Sequence, residues 1–184
     1  MKKSIRFFVL VGSILMLSCN NSKENAQVTT SENSVDSSVG QSGVKDDVSN
    51  PNIVQVAMGS KDHSTLVAAV KAAGLVDALS NAGPFTVFAP TNAAFDKLPA
   101  GTVEGLLKPD KKEDLENILG YHTYVGVLKT EYMQNNQEFD MVYGGKVKIT
   151  KEGSKTFVNG SEIVASIPTS NGIIHIIGDV LLPK

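Results

Sequence analysis

The pattern of apolar and polar residues predicts a buried strand followed at once by a capped helix in residues 83–99. In residues 85–89 apolar side chains occupy both alternating faces, as expected of a strand that is covered on both sides. Pro90 has no amide proton to donate to a sheet, so it ends the strand. Thr91 or Asn92 can then cap the helix, because either side chain can accept a hydrogen bond from its free amides.

Residues 171–182 form the second strongly apolar run. Isoleucines stand at 173, 174, 176 and 177, so both faces of the run are apolar, and His175 is its single polar interruption. A strand that is apolar on both faces belongs in the middle of a sheet. The two apolar runs are therefore expected to pair within one small domain.

Helical periodicity dominates the segment before the first strand. Asp62 and Ser64 are candidate N-caps, and Gly74 supplies a stop signal. Apolar residues between them recur at helical spacing, namely Leu66, Ala69, Val70 and Ala73. Three further segments are short: two predicted helices at 102–108 and 113–120, and a segment at 52–58 that fits either a helix or a strand.

Strand patterns replace helical ones after about Tyr121. The Gly144-Gly145 pair predicts a hairpin between segments 138–143 and 146–150. Residues 121–128 and 161–167 are further strand candidates, the latter ended by Pro168. Because helices come first and strands later, the order favours an α+β fold over a parallel βαβ fold.

The charge balance gives little reason to expect a nucleic-acid partner. The chain of 184 residues has 17 Lys and Arg against 19 Asp and Glu, and no basic cluster occurs beyond the N-terminus. One cysteine cannot form an internal disulfide. No phosphate-binding loop, nucleophile elbow or metal-ligand spacing is present in the sequence, so neither a cofactor nor a metal is expected.

The N-terminus has the layout of a signal peptide. Three basic residues precede an apolar run at 7–17, which is too short to cross a bilayer by itself. Ser18-Cys19 then resembles the lipobox of bacterial lipoproteins. This resemblance implies a signal peptide at 1–18 and a lipid on Cys19; the alternative is an ordinary signal peptide with an incidental cysteine.

The segment that follows Cys19 is rich in Ser, Asn, Gly and acidic residues and has no aromatic residue. Such a composition buries too little apolar area to offset its chain entropy. Residues 19–50 are therefore expected to be a flexible tether, with a segment packed on the domain as the alternative. Asn20 after the cysteine resembles the sorting signal for the outer membrane, and which side the protein faces stays open.

Three motifs in residues 51–184 resemble those of the fasciclin (FAS1) domain family. Residues 83–99 resemble its first signature, residues 171–183 its second, and Tyr121-His122 its Tyr-His motif. The signature residues are Thr86, Phe88, Ala89, Pro90, Thr91, Phe95, Tyr121, His122, Asn171, Gly172 and His175. Gly178 departs from the pattern, because the family often has an acidic residue at this place.

The resemblance implies both a fold and a role. The expected fold is an α+β, wedge-shaped β-sandwich of two packed sheets, with helices on one side and one edge. The implied role is that of a cell-surface or matrix adhesion module without catalytic activity. The resemblance covers the whole of residues 51–184, which we take as one FAS1 domain.

His122 and His175 are the main candidates for a catalytic or metal-binding role. They are candidate metal ligands or general bases, but no cysteine, carboxylate or further histidine stands at ligand spacing. Because both lie in apolar patterns, we favour buried neutral imidazoles whose ring nitrogens bind backbone or hydroxyl groups. For Thr91 and Asn92, an anion site at the helix N-terminus is the alternative to capping.

These observations lead to three hypotheses about function. The first is a lipid-anchored adhesion or binding module of the cell envelope, which takes a protein or glycan partner and is held at the membrane through Cys19. The second is a carrier of a small apolar ligand between helices and sheet. The third and least favoured is a hydrolytic enzyme that uses His122 or His175.

Overall fold

The computed structural model of the chain describes residues 50–183. The predicted signal peptide, Cys19 and all but the last residue of the predicted tether lie outside the described residues, so these assignments stay predictions. Within residues 50–183, no helix has the length and apolar character needed to cross a membrane.

The first part of the described chain is mainly helical and contains one strand, and the part after Tyr121 consists of strands. The helices are α1 (Ile53–Gly59), α2 (Ser64–Ala73), α3 (Val76–Ser80), α4 (Asn92–Phe95), α5 (Thr102–Leu106) and α6 (Lys112–Tyr121). The strands are β1 (Phe85–Pro90), β2 (Thr123–Val125), β3 (Glu138–Asp140), β4 (Lys146–Glu152), β5 (Lys155–Val158), β6 (Ser161–Thr169) and β7 (Gly172–Ile177). The segment at 52–58 is thus helical, and the hairpin at Gly144-Gly145 is confirmed as β3–β4.

The two apolar runs pair at the centre of the sheet. β1 and β7 are parallel neighbours, in a register that sets Phe85 opposite Gly172 and Phe88 opposite His175. β2 covers the other edge of β1, and β6 covers the other edge of β7. Both strands therefore lie in the interior of the sheet, as predicted for runs that are apolar on both faces.

The strands follow the order β2-β1-β7-β6-β5-β4-β3 in the described part of the chain. Instead of the two packed sheets that were expected, the strands form one hydrogen-bonded sheet that wraps round on itself. The amide of Val142, which follows β3, donates to the carbonyl of Thr123 in β2 over 3.0 Å and links the two ends. The α+β class and the FAS1-like architecture are confirmed, with the wrapped sheet as the form that the β layer takes.

Each face of the central strands has its own core cluster. Val87, Ala89 and Ile174 face the helices and pack with buried residues of α1, α2, α3 and α6. Phe88 and Ile177 face the inside of the wrapped sheet. There they pack with Tyr121, Met133, Met141, Val147, Ile149, Val158 and Leu181. Alternation along β1 and β7 thus divides the apolar side chains between two cores.

The capping residues predicted from the sequence are correct at some helix ends and wrong at others. Asn52 and Gln55 form a capping box at the start of α1, a sequence signal that decides between helix and strand. Gly74 ends α2 in the left-handed conformation at φ 72°, as predicted. The prediction that Asp62 or Ser64 caps α2 is wrong: Asn92 Oδ1, from α4, accepts the Thr65 amide at 3.0 Å instead.

Two strand boundaries also differ from the prediction. Pro168 does not end the strand but lies inside β6, paired with Ile173. Pro168 is tolerated because β6 pairs with β5 only through Ser161 and Glu162, so a proline nitrogen there can face the unpaired edge. The predicted strand at 121–128 is shortened to β2, because Tyr121 still belongs to α6 and Gly126, with φ 141°, turns the chain.

Candidate functional site

Thr86 ties the first signature strand to the loop after β2. Its hydroxyl is buried and donates to the Gly126 carbonyl over 2.6 Å. The same oxygen accepts from the Leu128 amide over 2.9 Å. A hydroxyl in an apolar strand is therefore fully engaged with backbone groups, which removes the cost of burying it.

His175 continues this network from β7. Its Nε2 lies 2.6 Å from the Leu128 carbonyl, which only accepts, so Nε2 carries the proton. Its Nδ1 then accepts from the Ser166 hydroxyl at 2.7 Å. The ring also stacks on Phe88 with centroids 5.5 Å apart. Side chains of β1, β6 and β7 thus hold one another and the loop at Leu128 in place.

Ser166 and His175 have the spacing of a nucleophile and its base. The residue Ser166 is exposed, whereas His175 is 0 % exposed. The third group on the imidazole is a backbone carbonyl rather than a carboxylate, so an imidazolium formed by proton transfer would be buried without a counter-charge. This arrangement favours a structural hydrogen bond over catalysis.

His122 is held in the opposite tautomer at the end of α6. Its Nδ1 donates to the Ile118 carbonyl at 2.8 Å, one turn back. Its Nε2 accepts from the amide of Leu181 at 2.9 Å, in the segment after β7. The ring joins the helix to the last part of the chain and has no ring nitrogen left for a ligand.

Burial lowers the pKa of both signature histidines. The pKa of His122 falls from 6.5 to about 4, because burial disfavours the charged ring more than the Ile118 carbonyl favours it. Burial also lowers the pKa of His175, again opposed by a carbonyl, that of Leu128. Both rings are therefore neutral near pH 7, as their hydrogen bonds require.

Tyr121 has a similar structural position. Its ring is 3 % exposed, and its hydroxyl donates to the Lys146 carbonyl at 2.7 Å. The same oxygen accepts from Asn159 Nδ2 at 3.0 Å. Tyr121 thus connects α6 to β4 and to the β5–β6 turn through one hydroxyl.

The second signature begins with Asn171 and Gly172. Asn171 Oδ1 accepts the Ile53 amide at 3.0 Å. Its Nδ2 donates to the carbonyls of Leu79 and Asn81, so one amide side chain joins α1 to the end of α3. A Cβ on Gly172 would lie 1.9 Å from the Phe85 carbonyl oxygen, which explains why only glycine fits here.

At the start of α4, Thr91 caps this helix, whereas Asn92 binds the segment at the start of α2. Thr91 Oγ1 accepts the Ala94 amide at 3.3 Å, so the capping prediction is confirmed for Thr91. Asn92 Nδ2 donates to the Ser64 hydroxyl at the start of α2 and to the Lys61 carbonyl in the turn before that helix. With both side chains engaged in this way, the geometry offers no support for the anion-site alternative.

Metal binding finds little support in the geometry. Among residues 50–183, no group of three or more His, Cys, Asp or Glu side chains is placed to hold an ion. Asp179, which follows the Gly178 that departs from the family pattern, pairs with Lys97 at 2.6 Å on the surface. His63 Nδ1 lies 2.8 Å from the Ser60 hydroxyl, which ties this ring to its own turn.

Comparisons with known proteins place the chain in a family. The sequence model of the Fasciclin domain matches residues 61–183. The chain belongs to the fasciclin domain family. Protein sll1483 of Synechocystis sp. is 48 % identical over 131 residues, which are 71 % of this chain and 73 % of that protein. A second Synechocystis protein, sll1735, is 42 % identical over 132 residues, or 72 % of this chain and 98 % of that protein.

A solved structure agrees with the fold of this fasciclin domain. The FAS1 domain pair of the insect cell adhesion molecule Fasciclin I superposes with a TM-score of 0.62 at 18 % identity. The match covers 72 % of this chain and 51 % of that chain. At this identity the likeness establishes the fold, and the buried signature network described above is what this chain builds on it.

An apolar cavity lies beside His122 in the fasciclin domain. It occupies about 260 Å³ between α2, α4, α5, α6 and the segment after β7. Leu66 and Ala69 of α2, Phe95 of α4 and Leu106 of α5 contribute to its wall. The carrier hypothesis expected a space between helices and sheet; this one lies mainly among the helices.

Sequence reasoning missed the partners of the signature residues. Ser166 carries no sequence signal that links it to His175, because only the antiparallel register of β6 and β7 brings the two together. The role of Asn92 in capping α2 was equally hidden. By contrast, the spacing of Asn52 and Gln55 was a readable signal for α1.

Proposed function

We propose that this fasciclin domain is a non-catalytic binding module of the bacterial cell envelope, held at the membrane by a lipid on Cys19. Membership of a family that includes the cell adhesion molecule Fasciclin I supports the binding role. The lipobox-like sequence at Ser18-Cys19 supports the anchor. A protein or a glycan of the envelope is the partner that this location favours.

One observation carries the proposal: the hydrogen-bonding groups of the signature side chains already have partners inside the domain. Tyr121 and His122 are 3 % and 2 % exposed, so neither side chain is free to contact a partner directly. The binding residues therefore have to be sought on the surface, and the motif holds that surface in shape.

Two exposed apolar side chains lie next to the Tyr-His motif. The ring of Tyr143 lies against Gly120, where a Cβ would meet it, and the residue is still 50 % exposed. Its neighbour Val142 is 47 % exposed and bonds through its amide to β2. We call Val142 and Tyr143 the Tyr143 patch. Exposed aromatic side chains such as Tyr143 are enriched at protein interfaces, which supports this patch as the contact surface.

Binding of a purified domain to cell envelopes tests the role. A polypeptide of residues 50–184 should bind envelopes of the native host saturably, and Tyr143→Ser should weaken this binding by roughly tenfold. Tyr132→Ser is the matched control, because Tyr132 is 74 % exposed and lies outside the patch. Protease or glycosidase treatment of the envelopes distinguishes a protein from a glycan partner. Absence of saturable binding would refute the role, and equal loss in both variants would refute the patch.

Lipid labelling tests the anchor separately. Cells that express the full chain should incorporate labelled fatty acid into it, and Cys19→Ala should abolish the label. Protease shaving of the same intact cells reports which side of the outer membrane the domain faces. Equal labelling of the wild type and Cys19→Ala would show that the lipid is not attached to Cys19.

A further inference from the structure

The apolar cavity between the helices and the chain end is a separate feature from the Tyr143 patch. Its deepest wall is formed by buried residues, among them Leu66, Leu115 and Leu119. A second apolar void, lined by Val54 and Val87 among others, measures only about 30 Å³. The larger cavity, at about 260 Å³, is thus the one of these two with room for a ligand.

The lining offers a ligand almost no polar group to recognise. Thr102 and His122 are the polar residues that line the cavity in the described part of the chain. Both ring nitrogens of His122 are already engaged by Ile118 and Leu181. A polar ligand would lose its hydration here without compensation, whereas a hydrocarbon would gain burial.

The volume sets the size of the ligand. An engineered cavity of about 150 Å³ lined by Leu, Ile and Phe binds benzene, which has six carbon atoms. Scaled by volume, a cavity of about 260 Å³ holds about ten carbon atoms. The match is with an alkyl chain end or a small terpene-like hydrocarbon, not with a whole membrane lipid.

Helix α5 is the part of the cavity wall that is held least firmly. This helix spans only Thr102–Leu106, contains no fully buried residue and has no side-chain cap at its N-terminus. Its first turn starts at Gly101, which has φ 82°. An element with so few buried contacts opens locally at low free-energy cost, so α5 is the part of the wall that can move to admit a ligand.

We propose that this cavity binds a hydrocarbon group of about ten carbon atoms, supplied either by a free apolar molecule or by the chain of a membrane lipid. The almost entirely apolar wall selects hydrocarbon, the volume limits its length, and α5 acts as the lid. The site lies away from the Tyr143 patch in its lining residues, so it does not depend on the proposed envelope partner.

A chain-length series of linear alcohols measures this site directly. Residues 50–184 are used, because the described fold lies within them and because sll1735 aligns with 132 residues of this chain over 98 % of its own length. Titration calorimetry with 1-alkanols from about six to about twelve carbon atoms should show affinity that rises about fourfold per methylene and levels off near about ten carbon atoms. Absence of saturable 1-decanol binding, or a rise without a break, would overturn the proposal.

Neighbouring alanines on α2 provide a matched pair of variants. Ala69 lines the cavity, whereas Ala68 is exposed on the same helix. Ala69→Leu should weaken 1-decanol binding by about tenfold or more, and Ala68→Leu should leave it within about twofold of the wild type. Val103→Phe fills the cavity from the lid side and replaces Ala69→Leu if that variant does not unfold cooperatively. Folded filling variants that bind 1-decanol as tightly as the wild type would refute the site.

Vesicles distinguish the two sources of the hydrocarbon. Phosphatidylethanolamine vesicles that displace bound 1-decanol from the domain would assign the site to a membrane lipid chain. Retention of 1-decanol in their presence would assign it to a free small molecule. The proposal stands in either case, because both outcomes require the cavity to bind hydrocarbon, and the variants above decide whether it does.

Discussion

Acidification should destabilise the domain through His122, whose hydrogen bonds demand a neutral ring. The folded-state pKa of about 4 lies below the unfolded value of 6.5, so the unfolded chain binds the proton more tightly. Stability from this group is therefore fully present above about pH 6.5 and is lost as the pH falls towards about 4.

The magnitude follows from the size of the pKa shift. A difference of about 2.5 pKa units at 1.36 kcal/mol per unit makes the full loss about 3 kcal/mol at low pH. At about pH 5 the loss is already about 2 kcal/mol, because the unfolded ring is then protonated and the folded ring is not. The physical reason is geometric as well: a proton on Nε2 would face the Leu181 amide that now donates to it.

Urea unfolding of the wild type and His122→Gln isolates this effect. The variant lacks the titrating ring but keeps every carboxylate and the other histidines, so their contributions cancel in the difference. At about pH 7.5 the variant should be less stable by about 1–3 kcal/mol, from lost packing and hydrogen bonds. At about pH 5 this gap should shrink by about 2 kcal/mol.

The contrary result is equally clear. A gap between wild type and His122→Gln that stays constant between about pH 7.5 and pH 5 would show that the ring titrates normally in the folded state. An NMR titration of the His122 ring resonances gives an independent reading, with no protonation expected above about pH 5. His175 should be less sensitive, because the Ser166 hydroxyl can turn and accept from a protonated Nδ1.

Three further substitutions give expected outcomes for chemical unfolding. Thr86→Val removes two hydrogen bonds to the loop after β2 and should cost about 2–3 kcal/mol; a cost below about 0.5 kcal/mol would contradict a stabilising role for these two bonds. Gly172→Ala places a Cβ 1.9 Å from the Phe85 carbonyl and should cost more than about 4 kcal/mol or prevent folding. Lys97→Ala breaks an exposed ion pair with Asp179 and an exposed hydrogen bond to the Gly178 carbonyl, and it should change stability by less than about 0.5 kcal/mol.

Part of the candidate site could be predicted from the sequence, and part of it could not. The signature residues could be named in advance, and a neutral, bonded imidazole could be anticipated for His122 and His175. Their partners could not, since Leu181 and Leu128 contribute backbone groups and Ser166 lies on another strand. The cavity was equally unpredictable, because its volume depends on how α5 and α6 settle against α2.

The local pattern of the sequence determined the elements of this protein. In β4, buried Val147 and Ile149 alternate with exposed Lys146 and Lys148, and Gly144-Gly145 predicted the turn before this strand. Such signals act between residues a few positions apart, where chain geometry is fixed by covalent structure. The same locality explains why Gly74 ended α2 where expected.

Tertiary structure alone decided how these elements meet. The sequence predicted that the two apolar runs pair, but not that β1 and β7 run parallel. The passage of β6 through Pro168 depends on which edge of the strand is paired, and the capping of α2 by Asn92 joins residues that are distant in the chain. Hydrogen-bond partners and cavities are properties of packed surfaces, which exist only when the whole chain has folded. The sequence therefore specifies which groups need partners, and the packing of the domain chooses them.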